Sequence, residues 1–342
     1  MKTDQLSTTA MQLMAGNKGL LAMDESTHSI DSRFEKAAIP QTVEYRRAWR
    51  ELIVTTPGIG ECLNGVILYD ETVYQQTKDG VPFVGLLEKA GIIPGIKVDE
   101  GTVPLAGFPG EKIALGLDTL RQRLEKYRAL GMRFAKWRVV FSISDEMPSE
   151  GCIHANTNTL ARYAGLCQEA GIVPIVEPEV LMEGTHDMLT TYTVTRRVLR
   201  VLFEQLADQR VYLPGMLLKP NMIMPGLQAE KQESVEEVAK ATVHCLVESV
   251  PQTVPGVAFL SGGQTPQLAS AHLNAINSRQ DELMPWPLTF SYSRAIQQPA
   301  LEYWKGREEN VRAAQRLLYG RMKLNVLARA GMYLPEMEKE YS

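Results

Sequence analysis

Eight short apolar runs recur along the chain, and their spacing restricts the fold more than any other feature. They read GLLAMD, GVILYD, IPGIKVD, RFAKWRVV, IVPIVEPE, PGMLLKPN, GVAFLSGG and LTFSYSR. Their starts lie roughly 30–45 residues apart, room each time for a strand, a helix and loops. The runs are apolar nearly throughout rather than alternating, as expected of strands covered on both faces. The segments between them carry helical periodicity. LDTLRQRLEKYRALG sets Leu117, Leu120, Leu124 and Tyr127 on one face and stops at Gly131; TNTLARYAGLCQEAG opens on a Thr/Asn cap and stops at Gly171; SVEEVAKATVHCLVESV repeats the period. Strand–helix alternation implies a parallel sheet, and eight regular units favour closure. The expected fold is α/β, a (β/α)8 TIM barrel, with residues 1–342 as a single domain and a short C-terminal tail from about residue 331.

Several function classes are disfavoured at the outset. A net charge of −4 gives no bulk attraction to nucleic acid or anionic membrane. No long uncharged apolar run suggests a membrane span. The start, MKTDQLSTTAMQLMAGNKG, lacks a signal core or an Arg-rich transit pattern, so the expected location is the cytoplasm. Cys62, Cys152, Cys167 and Cys245 show no CxxC spacing and read as packed, reduced thiols. The five histidines show no ligand spacing, and no metal is expected.

The strand ends are where the chemistry collects. They supply Asp24, Asp70, Lys97, Lys136 with Arg138, Glu177 with Glu179, Lys219, Ser261 with Gly262 and Gly263, and Arg294. In a barrel these ends converge on one face. A lone Asp there is usually a helix cap, and a lone Lys often reaches outward to water. The joint pattern is different. Lys136 and Arg138 are two residues apart, as are Glu177 and Glu179, so each pair points to one side of its strand. A buried ion-pair network could serve fold specificity alone, but three lysines and an arginine are more cations than that calls for.

Lys219 sits at the end of the apolar run GMLLKPN. Burial and a second cation, Lys136, both favour a neutral amine, which can attack a carbonyl and form a Schiff base. The protonated imine is an electron sink that lets a C–C bond beta to it break, with Glu177 and Asp24 available for proton transfer. FLSGGQ offers free backbone N–H groups after a strand, and Arg294 follows the next strand, so a phosphate site is expected there. Lys97 and Arg33 could hold a second anion. Two anion sites flanking an imine-forming lysine describe a bisphosphorylated sugar.

At these residues the chain resembles the class I (Schiff-base) fructose-1,6-bisphosphate aldolases. The motifs MDEST, GIKVDEG, VPLAG, FAKWR, IVPIVEPE, LLKPNM, FLSGGQ, LNAIN and LTFSYSRA run collinearly over most of its length. The resemblance implies a lyase of glycolysis, gluconeogenesis and the Calvin cycle that cleaves fructose 1,6-bisphosphate to dihydroxyacetone phosphate and glyceraldehyde 3-phosphate, with sedoheptulose 1,7-bisphosphate as a further substrate. It implies no cofactor, no metal and a homotetramer. Lys219 resembles the Schiff-base lysine, Glu177 the acid/base residue of imine formation with Lys136 beside it, and Asp24 the group that handles the C4 hydroxyl proton. Glu179 and Arg138 resemble supporting charges. Ser261, Gly262, Gly263, Ser291 and Arg294 resemble the C1-phosphate site; Ser26, Ser29, Arg33 and Lys97 the C6-phosphate side. Two positions depart from the common pattern: His28 and Ser293 stand where many relatives carry glycine. The tail is also shorter than in familiar relatives, with Tyr341 penultimate. A non-catalytic sugar-phosphate scaffold is the alternative on this fold, but every expected catalytic residue type is in place. A transaldolase-like barrel enzyme is disfavoured by the two separate phosphate clusters.

Overall fold

Eight parallel strands close on themselves: β1 (Gly19–Met23), β2 (Leu63–Leu68), β3 (Ile93–Lys97), β4 (Phe134–Phe141), β5 (Val173–Val180), β6 (Leu217–Leu218), β7 (Val257–Phe259) and β8 (Leu288–Tyr292). Each overlaps one of the eight apolar runs, and β8 pairs back to β1 with Leu20 opposite Ser291. The computed structural model from which this follows describes residues 2–279 and 284–340. The fold is the expected TIM barrel.

The inner face divides by height. At the lower end Leu20, Ala22, Ile67, Phe134, Val173, Ile175, Leu217 and Ala258 form one apolar cluster. The helix Lys2–Leu13 closes this end, adding Leu6, Ala10 and Leu13, with Met14 just beyond it. The Phe134 ring fills the axis so tightly that a Cβ at Gly95 would lie 2.4 Å from it, which is why that strand position is glycine. Alternate residues on a strand face the same side. Two steps on from this cluster the same face therefore presents Asp24, Lys136, Glu177 and Lys219. The other faces of the strands pack on the helices; Trp137 lies against Tyr163 at 5.4 Å, and the Tyr163 hydroxyl donates to the Ala135 carbonyl at 2.7 Å.

Helix boundaries depart from expectation in places. The segment containing TNTL is interior to a longer helix, Glu150–Glu169, whose cap is Ser149 accepting from the Cys152 N–H at 3.1 Å. The Thr157 hydroxyl bonds back to the Ile153 carbonyl instead of capping. Leu117 lies outside its helix, Leu120–Ala129. Gly131 and Gly171 do act as stops, with φ of +91° and +72°. Val235–Ser249 opens on a capping box between Ser234 and Glu237. An antiparallel hairpin, Thr102–Pro104 with Lys112–Ala114, extends from the β3 end and was not expected.

All four cysteines are free and buried, and burial raises each thiol, to about 11 at Cys62 and about 12 at Cys152 and Cys245. Among the described residues no cluster suits a metal ion, and no helix is long and apolar enough to cross a membrane. The tail is tied down at Glu338, which accepts from Arg321 at 2.6 Å and from the Tyr333 hydroxyl at 2.9 Å. Tyr341 lies outside the described residues.

Candidate active site

Lys136, on β4, is the hub of the barrel mouth. Its Nζ lies 2.8 Å from Asp24 Oδ2, 3.2 Å from Glu177 Oε2 and 3.9 Å from Asp99 Oδ2. Glu177 turns its other oxygen, Oε1, to Lys219 Nζ at 3.1 Å. The four side chains Asp24, Lys136, Glu177 and Lys219 thus alternate in charge within the buried mouth. Burial alone would discharge Lys136, but Asp24, Glu177 and Asp99 outweigh it and hold its pKa above the ordinary lysine value. Burial likewise opposes the Asp24 carboxylate, and Lys136, Lys219 and Lys97 overcome it, leaving its pKa below the usual range. Asp99 is depressed in the same way, by Lys136 and Lys97 against burial.

The β4–β5 register sets Arg138 opposite Glu177, and Arg138 forms an ion pair with Glu179. Burial opposes the Arg138 charge, but Glu179 keeps its pKa raised. Lys97 ends β3 and is held by Asp99, 2.6 Å from its carbonyl oxygen and 2.7 Å from Oδ1. Lys219 follows the two-residue β6, where its N–H donates to the Val176 carbonyl at 2.8 Å. Pro220 comes next, with no N–H to continue the ladder.

The expected phosphate residues divide into two groups. After β7, Gly262 and Gly263 have φ of +55° and +82°, conformations that favour glycine. A Cβ at Gly263 would lie 3.9 Å from Arg294 Nη2, so this loop sits beside that guanidinium. Ser291 shares the inward side with Leu20, and its buried Oγ has no hydrogen-bond partner. Across the mouth, Ser26 caps the helix Thr27–Lys36 by accepting from the Ser29 N–H at 3.3 Å, and the two hydroxyls are 3.1 Å apart. Ser26, Ser29, Lys97, Asp24, Lys136 and Arg138 line a cavity of about 740 Å3. Arg33 does not line it; its Nη1 lies 2.5 Å from Glu25 Oε1 and its Nη2 donates to Gln298 at 3.2 Å, on the seam between β1 and β8.

Neither departure from glycine falls at a left-handed backbone position. His28 lies in the Thr27–Lys36 helix, and Ser293 has φ −110°. Two residues of the site escaped the sequence reading. Asp99 stands two residues after Lys97, the same spacing that marked the β4 and β5 pairs, and that signal was available. Glu25 lies inside the MDEST motif, but its ion-pair partners Arg33 and Arg50 come from two outer helices and could not be read from the motif.

A closed parallel barrel with alternating buried lysines and carboxylates at its mouth is a TIM barrel with a candidate active site. Comparison with known proteins identifies the family. Residues 5–342 match the family model described as glycolytic, fructose-bisphosphate aldolase class-I. The chain is 52% identical over 334 residues to the probable fructose-bisphosphate aldolase class 1 of Xanthomonas campestris, covering 97% of this chain and 99% of that one. It is 48% identical over 330 residues to the cytosolic fructose-bisphosphate aldolase 6 of Arabidopsis thaliana, covering 96% and 92%. The solved fructose-bisphosphate aldolase of Plasmodium falciparum superposes with a TM-score of 0.95 at 43% identity, covering 97% of this chain and 96% of that one. The chain belongs to the class I fructose-bisphosphate aldolase family, a family of lyases.

Proposed function

We propose that this chain cleaves fructose 1,6-bisphosphate reversibly through a Schiff base on Lys219. The observation that carries this reading is an asymmetry between two buried lysines. Among the described residues, Lys136 Nζ has three carboxylates within 4 Å and Lys219 Nζ has one, Glu177. Lys136 is thereby the fixed cation, and Lys219, with Glu177 as its one carboxylate neighbour among the described residues, is assigned as the nucleophile.

Glu177 takes the ammonium proton of Lys219. The freed amine attacks the ketose C2 carbonyl, forming the Nζ–C2 bond; one proton passes from that nitrogen to the carbinolamine oxygen, Glu177 returns the other, and the C2–O bond breaks as water leaves, giving the protonated imine. Asp24, kept ionised by Lys136, accepts the proton of the C4 hydroxyl. The C3–C4 bond then breaks, its electron pair flows to the iminium nitrogen, and glyceraldehyde 3-phosphate departs. Protonation at C3 and hydrolysis of the imine release dihydroxyacetone phosphate and restore Lys219. Arg138 and Glu179 hold the charge balance beside Glu177. The Ser261–Gly263 loop, Ser291 and Arg294 bind the C1 phosphate; Ser26, Ser29 and Lys97 bind the C6 phosphate, with Arg33 behind them.

Sedoheptulose 1,7-bisphosphate is a further substrate on this reading. The chain works as a single barrel domain, in the cytoplasm and as a tetramer, without a metal. The test is cleavage after treatment with EDTA, followed with both bisphosphates by a coupled assay for triose phosphate. Full activity in EDTA is expected; activity that needs an added divalent metal would overturn the mechanism.

A further inference from the structure

The segments that follow β5 and β6 are zipped together. Leu227 donates its N–H to the Met182 carbonyl at 2.7 Å, Gly226 to the His186 carbonyl at 2.8 Å and Gln228 to the Gly184 carbonyl at 3.0 Å. The Gln228 side chain accepts from the Gly184 N–H at 2.6 Å. The backbone at Leu227 is thereby fixed on both sides. Its side chain is nonetheless 48% exposed, an apolar group held out toward water rather than turned into the core. A single exposed leucine needs no explanation by itself. This one has specific neighbours.

A Cβ at Gly263 would lie 3.6 Å from Leu227 Cδ1 and 3.9 Å from Arg294 Nη2, so the methyl group and the guanidinium stand beside the same residue of the loop after β7. Gly262 meets the same pair of segments. A Cβ there would lie 3.8 Å from Met182 Cγ and 3.9 Å from Met224 Cε. Both glycines are left-handed, and glycine has more backbone freedom to lose than any other residue. Two in succession make a poor anion cradle unless side chains from outside the loop hold its N–H groups in place. Met182, Met224 and Leu227 supply that support. The two methionines are buried and serve the core as well, whereas the half-exposed Leu227 can be truncated at little cost to the fold. We infer that Leu227 is a positioning residue that braces Gly263 beside Arg294, and so keeps the β7 loop and that guanidinium at the spacing that grips the C1 phosphate. This rests on the reading of Ser261–Gly263 and Arg294 as the C1-phosphate site.

The experiment uses the condensation direction, in which the two phosphates arrive on separate molecules. Dihydroxyacetone phosphate carries the phosphate that becomes C1, and glyceraldehyde 3-phosphate the one that becomes C6. Leu227→Ala raises KM for dihydroxyacetone phosphate about fivefold, with kcat and KM for glyceraldehyde 3-phosphate within about twofold, because a preorganised grip on one phosphate acts on binding alone. Leu227→Met keeps an apolar contact of similar reach and stays within about twofold of the unaltered protein in every constant. A merely structural role would loosen the whole mouth and raise both KM values together. An unchanged KM for dihydroxyacetone phosphate in Leu227→Ala, or equal rises for the two substrates, overturns the inference. Arg294→Ala separates the two levels. If it leaves KM for dihydroxyacetone phosphate unchanged, the phosphate assignment itself fails; if it raises that KM while Leu227→Ala does not, only the role of Leu227 fails.

Discussion

At the lower end of the barrel the inward side chains include Leu20, Ile67, Phe134, Val173 and Leu217, all fully buried and apolar. A few residues on, the inward positions at the mouth are Asp24, Lys136, Glu177 and Lys219, almost as buried and all charged. The contrast separates what holds the fold from what the fold is for. Each fully buried apolar side chain at the lower end contributes about 1.5–3 kcal/mol of transfer free energy. At the mouth each ion loses its hydration, and mutual attraction returns only part of that cost. An interior tuned for stability alone would continue the apolar pattern upward. That four strands change character at the same height is the physical signature of a site.

Substitutions at the two ends should therefore fail in different ways. The largest expected effect is at Lys219. Lys219→Met should lower cleavage activity by about 10^4-fold or more and cost less stability than Lys136→Met, since Glu177 loses one cation but keeps Lys136. Retention of activity within tenfold would contradict the nucleophile assignment. Lys136→Met should abolish activity as well, but with a loss of about 3–5 kcal/mol in denaturant unfolding, because Asp24, Glu177 and Asp99 lose their shared cation. If Lys136→Met proved as stable as Lys219→Met, the hub role would be wrong. At the lower end, Phe134→Ala should cost about 3–5 kcal/mol while the folded fraction keeps its kcat and KM to within a few-fold. A large fall in kcat at constant folded fraction would mean that the two ends are mechanically coupled.

The smallest expected effects concern pH. His272 is buried, its Nδ1 2.6 Å from Gln264 Oε1, and burial lowers its pKa to about 4. Its folded pKa lies below the unfolded value of 6.5, so its contribution is complete above pH 6.5 and is lost as pH falls toward 4, by roughly 3 kcal/mol. The depressed Asp24 and Asp99 contribute above about pH 3.8 and lose that contribution as acid protonates them in the folded state. Lys136, raised, loses its contribution only above pH 10.5. Unfolding free energy plotted against pH should therefore be level from about 6.5 to 9, fall on the acid side, and fall again above 9, where unfolded thiols ionise but the four buried ones stay protonated. His272→Asn should flatten the step between pH 6.5 and 4; an unchanged step would assign it to other groups.

What could be read from the residues follows the same division. The strands were legible because a buried parallel strand must be apolar for nearly its whole length, and the eight runs were. The mouth was legible wherever two charged residues stood two apart on one strand, as at Lys136 and Arg138. Asp99 obeys the same rule with Lys97 and closes the run IPGIKVD, so it was within reach of the same reading. The hairpin after β3 was hidden because TVP and KIA are too short to show a period. The helix around Thr157 was started too late, since a Thr–Asn–Thr group looks like a cap until tertiary packing continues the helix through it. The partners of Glu25 were out of reach altogether. They are Arg50, Arg33 and Ser293, which only the closed barrel brings together.

The most direct test is chemical trapping at the mouth of the barrel. The protein, treated with EDTA, is incubated with dihydroxyacetone phosphate, reduced with borohydride and digested, and the adduct is mapped by peptide mass spectrometry. A stable secondary amine on the Lys219 peptide, absent in Lys219→Arg, is the expected result. No adduct in folded protein, or an adduct on Lys136 instead, would contradict the assignment of Lys219 as the nucleophile.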